Sequence, residues 1–182
     1  LNTPYPATAY LKGFLNTHGL ASYQADLGLE VILALFSKKG LQQLFARIEN
    51  AGTKLNENGQ RMLRLNQSYI RTIDPVISFL HDKNPTLAHL IAEQNNLPEA
   101  SRFQQVSDLE WAFGSMGLHD KARHLATLYL EDISDLIIDA VDPHFGFSRY
   151  AERLGRSASS FQELNQALNA PLTYIDELLV EL

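Results

Sequence analysis

Apolar residues recur at helical spacing along most of the chain. From Leu29 onward they fall three or four positions apart in one segment after another, which is the period of an amphipathic helix. After Asp26, no stretch alternates apolar and polar side chains as a half-buried strand does. The pattern therefore predicts a mainly α fold, a multi-helix array or bundle. The polar stretch from Ala51 to Gly59 is the best candidate for a domain boundary.

Several helix limits are predicted from local signals. Gly40 is expected to break a helix, because glycine is a poor helix former. Asp74-Pro75 and Asn84-Pro85 are each expected to start a helix, with an N-cap residue followed by proline at the first helical position. Capping boxes at Ser107–Glu110 and Ser160–Glu163 predict two further starts.

The last third of the chain contains the longest predicted helix. It is expected to begin at His119 or Asp120 and to end near Val141, before a proline. A final helix is expected to begin at Pro171. Trp111 is expected to fill the core or an interface, because aromatic side chains bury large areas.

The first 26 residues have a different order of elements. Pro6 suits a helix start and Gly19 suits a helix stop, where a left-handed residue is needed. The run from Ala21 to Asp26 is expected to be a short strand. A helix that leads into a strand is half of a βαβ unit, and the strand that should precede it is missing. We therefore expect residues 1–52 to be a small, incomplete βα (Rossmann-like) piece and residues 53–182 to be a helical domain or insertion. The whole chain would be part of a larger protein.

The N-terminal stretch also resembles a known family. Pro6, Leu11, Leu15, Gly19 and Asp26, with the sequence YLKGFLNTHG among them, are similar to the start of the cobalamin-binding-type domain found upstream of many radical SAM proteins, often described as Fe–S oxidoreductases. The resemblance covers roughly residues 1–30 and includes no catalytic residue. The long helical stretch that follows departs from the family pattern, in which further βα units come next.

The resemblance implies a function for the parent protein. It would be an iron–sulfur enzyme that begins radical chemistry by reductive cleavage of S-adenosylmethionine, with cobalamin as a further cofactor. The loop from Thr3 to Pro6 would lie near the cobalamin face of the sheet, and Thr3 and Tyr5 are the only cofactor contacts expected. The chain itself would be a non-catalytic fragment without catalytic or metal-binding residues. The alternative is a non-enzymatic helical interaction or scaffold module.

Composition limits the cofactors and partners of the chain. The 182 residues include no cysteine, which excludes disulfides and thiolate-held iron–sulfur clusters from it. The cluster of the proposed parent would therefore lie in its C-terminal remainder, which is the expected partner. The net charge of −6 without a basic cluster argues against nucleic acid, and no apolar run is long enough for a membrane span. A cytoplasmic protein is expected. Without a neighbouring strand, residues 21–26 are expected to self-associate with another copy, to pack as an extended segment on helices, or to be locally disordered.

Histidines and carboxylates provide few candidate metal sites. Asp142-Pro-His144-Phe-Gly146 is similar to the Asp-x-His-x-x-Gly motif of one class of cobalamin proteins, but its glycine comes one residue early, so we interpret it as a helix stop. The pairs His89–Glu93 and Asp120–His124 have i, i+4 spacing and are interpreted as surface hydrogen bonds. His119 and His124 lie too far apart around a helix to share a metal.

Four carboxylates form a stripe on the long helix: Asp132, Asp135, Asp139 and Asp142. Such a stripe is typical of the solvated face of an amphipathic helix. A contact with basic residues is the alternative, either in a missing domain or at Arg149, Arg153 and Arg156.

Overall fold

The computed structural model describes residues 6–93, 96–106, 117–147 and 160–182, and these residues are mainly helical. The prediction of a mainly α fold is confirmed. The helices are α1 (Pro6–Thr17), α2 (Leu27–Leu35), α3 (Lys38–Ala51), α4 (Glu57–Arg64), α5 (Asn66–Leu80), α6 (Leu87–Ala92), a 3₁₀ helix (Ser101–Val106), α7 (Leu118–Ala140), α8 (Phe161–Leu168) and α9 (Tyr174–Glu181). No strand occurs in the described part of the chain, so the predicted βα piece is not seen. None of the helices described is both long and apolar enough to cross a membrane.

The corner between α2 and α3 overturns one predicted helix limit. The sequence predicts a helix break at Gly40, but the chain turns at Phe36 and Ser37, and Gly40 lies in the first turn of α3. The Ser37 hydroxyl accepts a hydrogen bond from the Gly40 N–H at 3.0 Å. A β-carbon on Gly40 would lie 2.2 Å from the carbonyl oxygen of Ala34 and 2.4 Å from that of Leu35. Glycine is thus needed here for close packing and not to end a helix.

The two predicted proline starts also differ from the structure. Pro75 lies inside α5, and Asp74 does not cap its own helix. Its Oδ1 atom accepts a hydrogen bond from the Lys38 N–H at 2.8 Å, so it caps the neighbouring helix α3. The prediction of a helix start at Asp74 is therefore wrong. The helix predicted at Asn84-Pro85 begins two residues late, at Leu87.

The long helix α7 forms the centre of the core. Its observed range confirms the prediction to within about one residue. Tyr129 of α7 stacks on Tyr69 of α5 with 5.4 Å between ring centroids, and its hydroxyl donates to the Tyr69 carbonyl at 3.0 Å. Both side chains are fully buried. One hydrophobic core extends over buried residues from α2 to α9. Its members include Leu35, Leu44, Met62, Ile73, Phe79, Ile91, Leu125, Ile133, Leu136 and Leu178.

The C-terminal helix α9 packs on α2 and α3. It begins at Tyr174, three residues after the predicted start at Pro171, because Thr173 and Asp176 form a capping box there. The Tyr174 hydroxyl lies 3.2 Å from the Gly40 carbonyl oxygen. Arg47 of α3 lies over the Tyr174 ring and pairs with Glu177.

The two predicted capping boxes and the predicted domain boundary differ in how far the structure tests them. In the box at Ser160–Glu163, the Glu163 N–H donates to the Ser160 hydroxyl at 3.0 Å, as predicted. The box at Ser107–Glu110 and Trp111 lie outside the described residues. The boundary expected at residues 51–59 falls on the connection between α3 and α4, where Gly52 is left-handed with φ of 60°, and the division into two domains stays a prediction.

Candidate functional site

Helix α1 exposes its apolar side chains. Pro6 is its first described residue, and Gly19 follows it in the left-handed region with φ of 69°, which confirms the predicted helix stop. None of its residues is buried. Tyr10 and Phe14 are exposed, and Phe14 makes an edge contact with His18 at 4.4 Å between centroids. These three residues are four positions apart, so they form one aromatic stripe along the helix.

Residues 20–25 lie along another face of α1. The Ser22 hydroxyl lies 3.3 Å from Asn16 Oδ1, and the Gln24 amide nitrogen donates to the Thr8 hydroxyl at 2.6 Å. Ser22 contacts the C-terminal end of α1, and Gln24 contacts a residue near its N-terminal end. The segment therefore runs antiparallel to the helix. A shallow groove of about 270 Å³ lies between them. We call α1 together with residues 20–25 the N-terminal hairpin.

The predicted strand at residues 21–26 is not formed. A strand exists only when its N–H and C=O groups pair with a neighbouring strand, and no other strand is described in this chain. Within the described residues, the main-chain groups of residues 21–25 have no backbone partner. Tyr23 is 99% exposed. The run ends at Asp26, whose carboxylate accepts from the Leu29 N–H at 3.0 Å and so caps α2.

A second polar cluster centres on Asp132 of α7. Its carboxylate is fully buried and accepts hydrogen bonds from the Ala100 N–H at 3.1 Å and the Arg102 N–H at 3.0 Å. It therefore caps the 3₁₀ helix. Arg102 also binds Asp135 with two hydrogen bonds, of 2.7 and 2.8 Å. The interpretation of the carboxylate stripe as a solvated face is thus wrong for Asp132.

Burial sets the protonation of this cluster. It raises the pKa of Asp132, while the N–H groups of Arg102 and Ala100 act in the opposite direction. It also raises the pKa of Tyr69, and the charge of Asp132 adds to that effect. Tyr69 Oη has no hydrogen-bond partner within the described residues. The cluster fixes the 3₁₀ helix to α7, and it combines no nucleophile with a base.

The sequence contained a signal for the buried position of Asp132. Leu125, Tyr129 and Leu136 lie seven, three and four positions from it, so Asp132 belongs to the apolar side of α7. The partner of Asp132 could not be found in this way, because the 3₁₀ helix has no periodic pattern of its own.

The remaining two carboxylates of the stripe bind main-chain N–H groups. Asp139 accepts from the Asn56 N–H at 3.5 Å, and Asp142 accepts from the His144 N–H at 2.8 Å. The second contact is a local turn after α7, which agrees with the interpretation of this motif as a helix stop. The alternative partners Arg149, Arg153 and Arg156 lie outside the described residues.

Two further histidines, His89 and His119, have defined surroundings. His119 stacks on Phe79 with 5.9 Å between centroids. His89 and Glu93 lie at the end of α6, where the Glu93 N–H donates to the His89 carbonyl. In the described ranges, no group of three or more His, Asp and Glu side chains is arranged to hold a metal ion. Thr3 and Tyr5, the expected cofactor contacts, lie outside these ranges.

Comparison of the chain with protein-family models, with curated proteins and with solved structures finds no match.

Proposed function

We propose that the chain is the N-terminal, non-catalytic part of a radical SAM iron–sulfur enzyme with a cobalamin-binding-type domain. The resemblance of residues 1–30 is the sequence support. The observation that supports it in the structure is the N-terminal hairpin, which exposes Tyr10, Phe14 and Tyr23 and leaves the main chain of residues 21–25 unpaired. A neighbouring strand and a covering layer would satisfy both features, as in a βα domain.

In this proposal, the cofactors belong to the larger enzyme. The chain has no cysteine, so the thiolates of an iron–sulfur cluster would come from its C-terminal remainder, in a Cys-x-x-x-Cys-x-x-Cys run. That remainder would also bind S-adenosylmethionine. Cobalamin would lie near Thr3 and Tyr5. The helices from α4 onward would form an insertion, and the enzyme would be cytoplasmic.

The test is an assay of the natural polypeptide that contains this chain. After anaerobic reconstitution with iron and sulfide and reduction with dithionite, we expect it to convert S-adenosylmethionine to 5′-deoxyadenosine. The 182-residue chain, treated in the same way, is the matched control and should form none. A polypeptide that carries no such cysteine run and forms no 5′-deoxyadenosine would show that the proposal is wrong.

A non-enzymatic interaction or scaffold module is the second candidate. A separate observation favours it: α8 also exposes an apolar face, formed by Phe161, Leu164 and Leu168. A protein with two exposed apolar helix faces suits a role in assembly. The same assay separates the candidates, because a scaffold forms no 5′-deoxyadenosine.

A further inference from the structure

The side chains of residues 21–25 are arranged as in a strand that already has one covered face. Ser22 and Gln24 reach α1, where they contact Asn16 and Thr8. In an extended chain, alternate side chains point to opposite faces, so Ala21, Tyr23 and Ala25 belong to the face away from Ser22 and Gln24, and Tyr23 and Ala25 also border the groove beside α1. The 99% exposure of Tyr23 agrees with this alternation. The helix therefore holds the segment by one face and leaves its other face and its edges open.

Nothing in the segment protects those edges. Residues 21–25 contain no proline and no charge, which are features that usually prevent strands from pairing with other chains. Their main-chain groups have no backbone partner within the described residues. An edge of this kind binds another extended segment.

We propose that the partner is the same segment of a second copy of the chain, paired antiparallel about a two-fold axis at Tyr23. In this register, Ala21 lies opposite Ala25 of the other copy, and Ser22 lies opposite Gln24. The two Tyr23 rings meet at the axis, where small alanines on either side leave room for them. Cross-strand aromatic pairs stabilise antiparallel strands.

Charge and symmetry favour the second copy over an unrelated strand. A two-fold interface brings the same segment of both copies together, so a segment with charges of one sign would meet like charges there. Residues 21–25 are uncharged, and their two ends carry the same residue type, alanine. The segment is therefore complementary to itself. This inference goes beyond the proposed function and does not depend on it, because a strand has two edges and a neighbouring strand of the larger enzyme would take only one of them.

Disulfide crosslinking tests the register, since the chain has no cysteine of its own. In the proposed pair, Tyr23→Cys places two thiols directly opposite each other, so mild oxidation should convert most of the protein to a disulfide-linked dimer. Ala21→Cys and Ala25→Cys are the matched controls. Each alone separates its two copies by roughly 13 Å of strand, which is too far for a disulfide, so neither should crosslink. The double variant Ala21→Cys/Ala25→Cys should crosslink again.

Sedimentation of the unmodified chain provides a second readout. We expect a dimer of twice the 20.4 kDa chain mass at tens of micromolar, with a mass that falls on dilution. Tyr23→Pro removes a main-chain donor and should abolish the dimer, whereas Tyr23→Val should retain most of it. A concentration-independent monomer, or equal crosslinking of all three single variants, would overturn the proposal. Neither experiment involves iron or S-adenosylmethionine, so its failure is distinct from failure of the proposed function.

Discussion

The carboxylate of Asp74 caps a helix that begins 36 residues before it, through a 2.8 Å hydrogen bond from the Lys38 N–H. The first N–H groups of a helix have no partner within that helix, so Asp74 replaces water at the start of α3. This hydrogen bond links α5 directly to the N-terminus of α3.

Asp74→Ala should therefore destabilise the protein. We expect the free energy of unfolding to fall by about 1 kcal/mol, the usual effect of losing a capping side chain, whereas Asp74→Asn should retain most of it. Urea denaturation measures the difference. Arg123→Gln is the control, because it breaks an exposed ion pair with Asp82 and should cost less. Equal stability of Asp74→Ala and the unmodified protein would show that the cap is not needed.

The stacked pair Tyr69 and Tyr129 should respond unequally to loss of a hydroxyl. The Tyr69 hydroxyl is buried without a partner among the described residues, so Tyr69→Phe should leave the free energy of unfolding unchanged or raise it. The Tyr129 hydroxyl bonds the Tyr69 carbonyl and lies 3.0 Å from Thr72 Oγ1. Tyr129→Phe should therefore cost about 1–3 kcal/mol. Thermal and urea unfolding of both variants provide the test, and a larger loss in Tyr69→Phe would contradict it.

Asp132 should make stability depend on pH. Its pKa is raised in the folded state above the ordinary value of 3.8, so below that value it is protonated in both states and has no effect. As the pH rises above 3.8, the unfolded chain ionises more readily, and the folded state loses stability until the pH passes the raised pKa. Asp132→Asn removes this titration.

The measurement is the difference in unfolding free energy between Asp132→Asn and the unmodified protein at a series of pH values. It should change in favour of the variant as the pH rises above 3.8 and then become constant. Asp132→Asn also replaces a carboxylate oxygen that accepts from the Ala100 or Arg102 N–H, which has a fixed energetic cost. That cost shifts the free-energy difference equally at every pH and leaves its pH dependence unchanged. A difference that is the same at all pH values would contradict the prediction.

Gly40→Ala should be strongly destabilising. The new methyl group would meet two main-chain carbonyl oxygens, which cannot move without opening the corner between α2 and α3. We expect a loss of about 1–3 kcal/mol or more. Gly28→Ala is the matched control, because its β-carbon would be at an ordinary 3.5 Å from the nearest side-chain atom. Similar melting temperatures for the two variants would show that the corner is looser than its geometry indicates.

Periodicity predicted the fold class and α7 well, because apolar spacing reports the buried side of a helix directly. Single residues were predicted less well wherever a distant partner decides their role. Asp74-Pro75 has the local pattern of a helix start, but α5 continues through it and Asp74 caps α3. Gly40 resembles a helix break because its close approach to α2 cannot be seen in the sequence.

The N-terminal hairpin shows a similar limit. Gly19 predicted the end of α1 from local chemistry alone, and this end is confirmed. The strand at residues 21–26 depended on a neighbour that local sequence cannot supply, and it does not form. The 3₁₀ helix held by Asp132 was missed because it has no apolar period.

The packing of Tyr174 against Gly40 has a consequence for synthesis on the ribosome. The two residues are 134 positions apart, so α2 and α3 are made long before the helix that covers them. At roughly 5–20 residues per second, their apolar side chains wait roughly 7 to 27 seconds for α9. During that time the nascent chain exposes the apolar surface that α9 later covers. A chaperone that binds this surface would protect the protein from aggregation until α9 emerges.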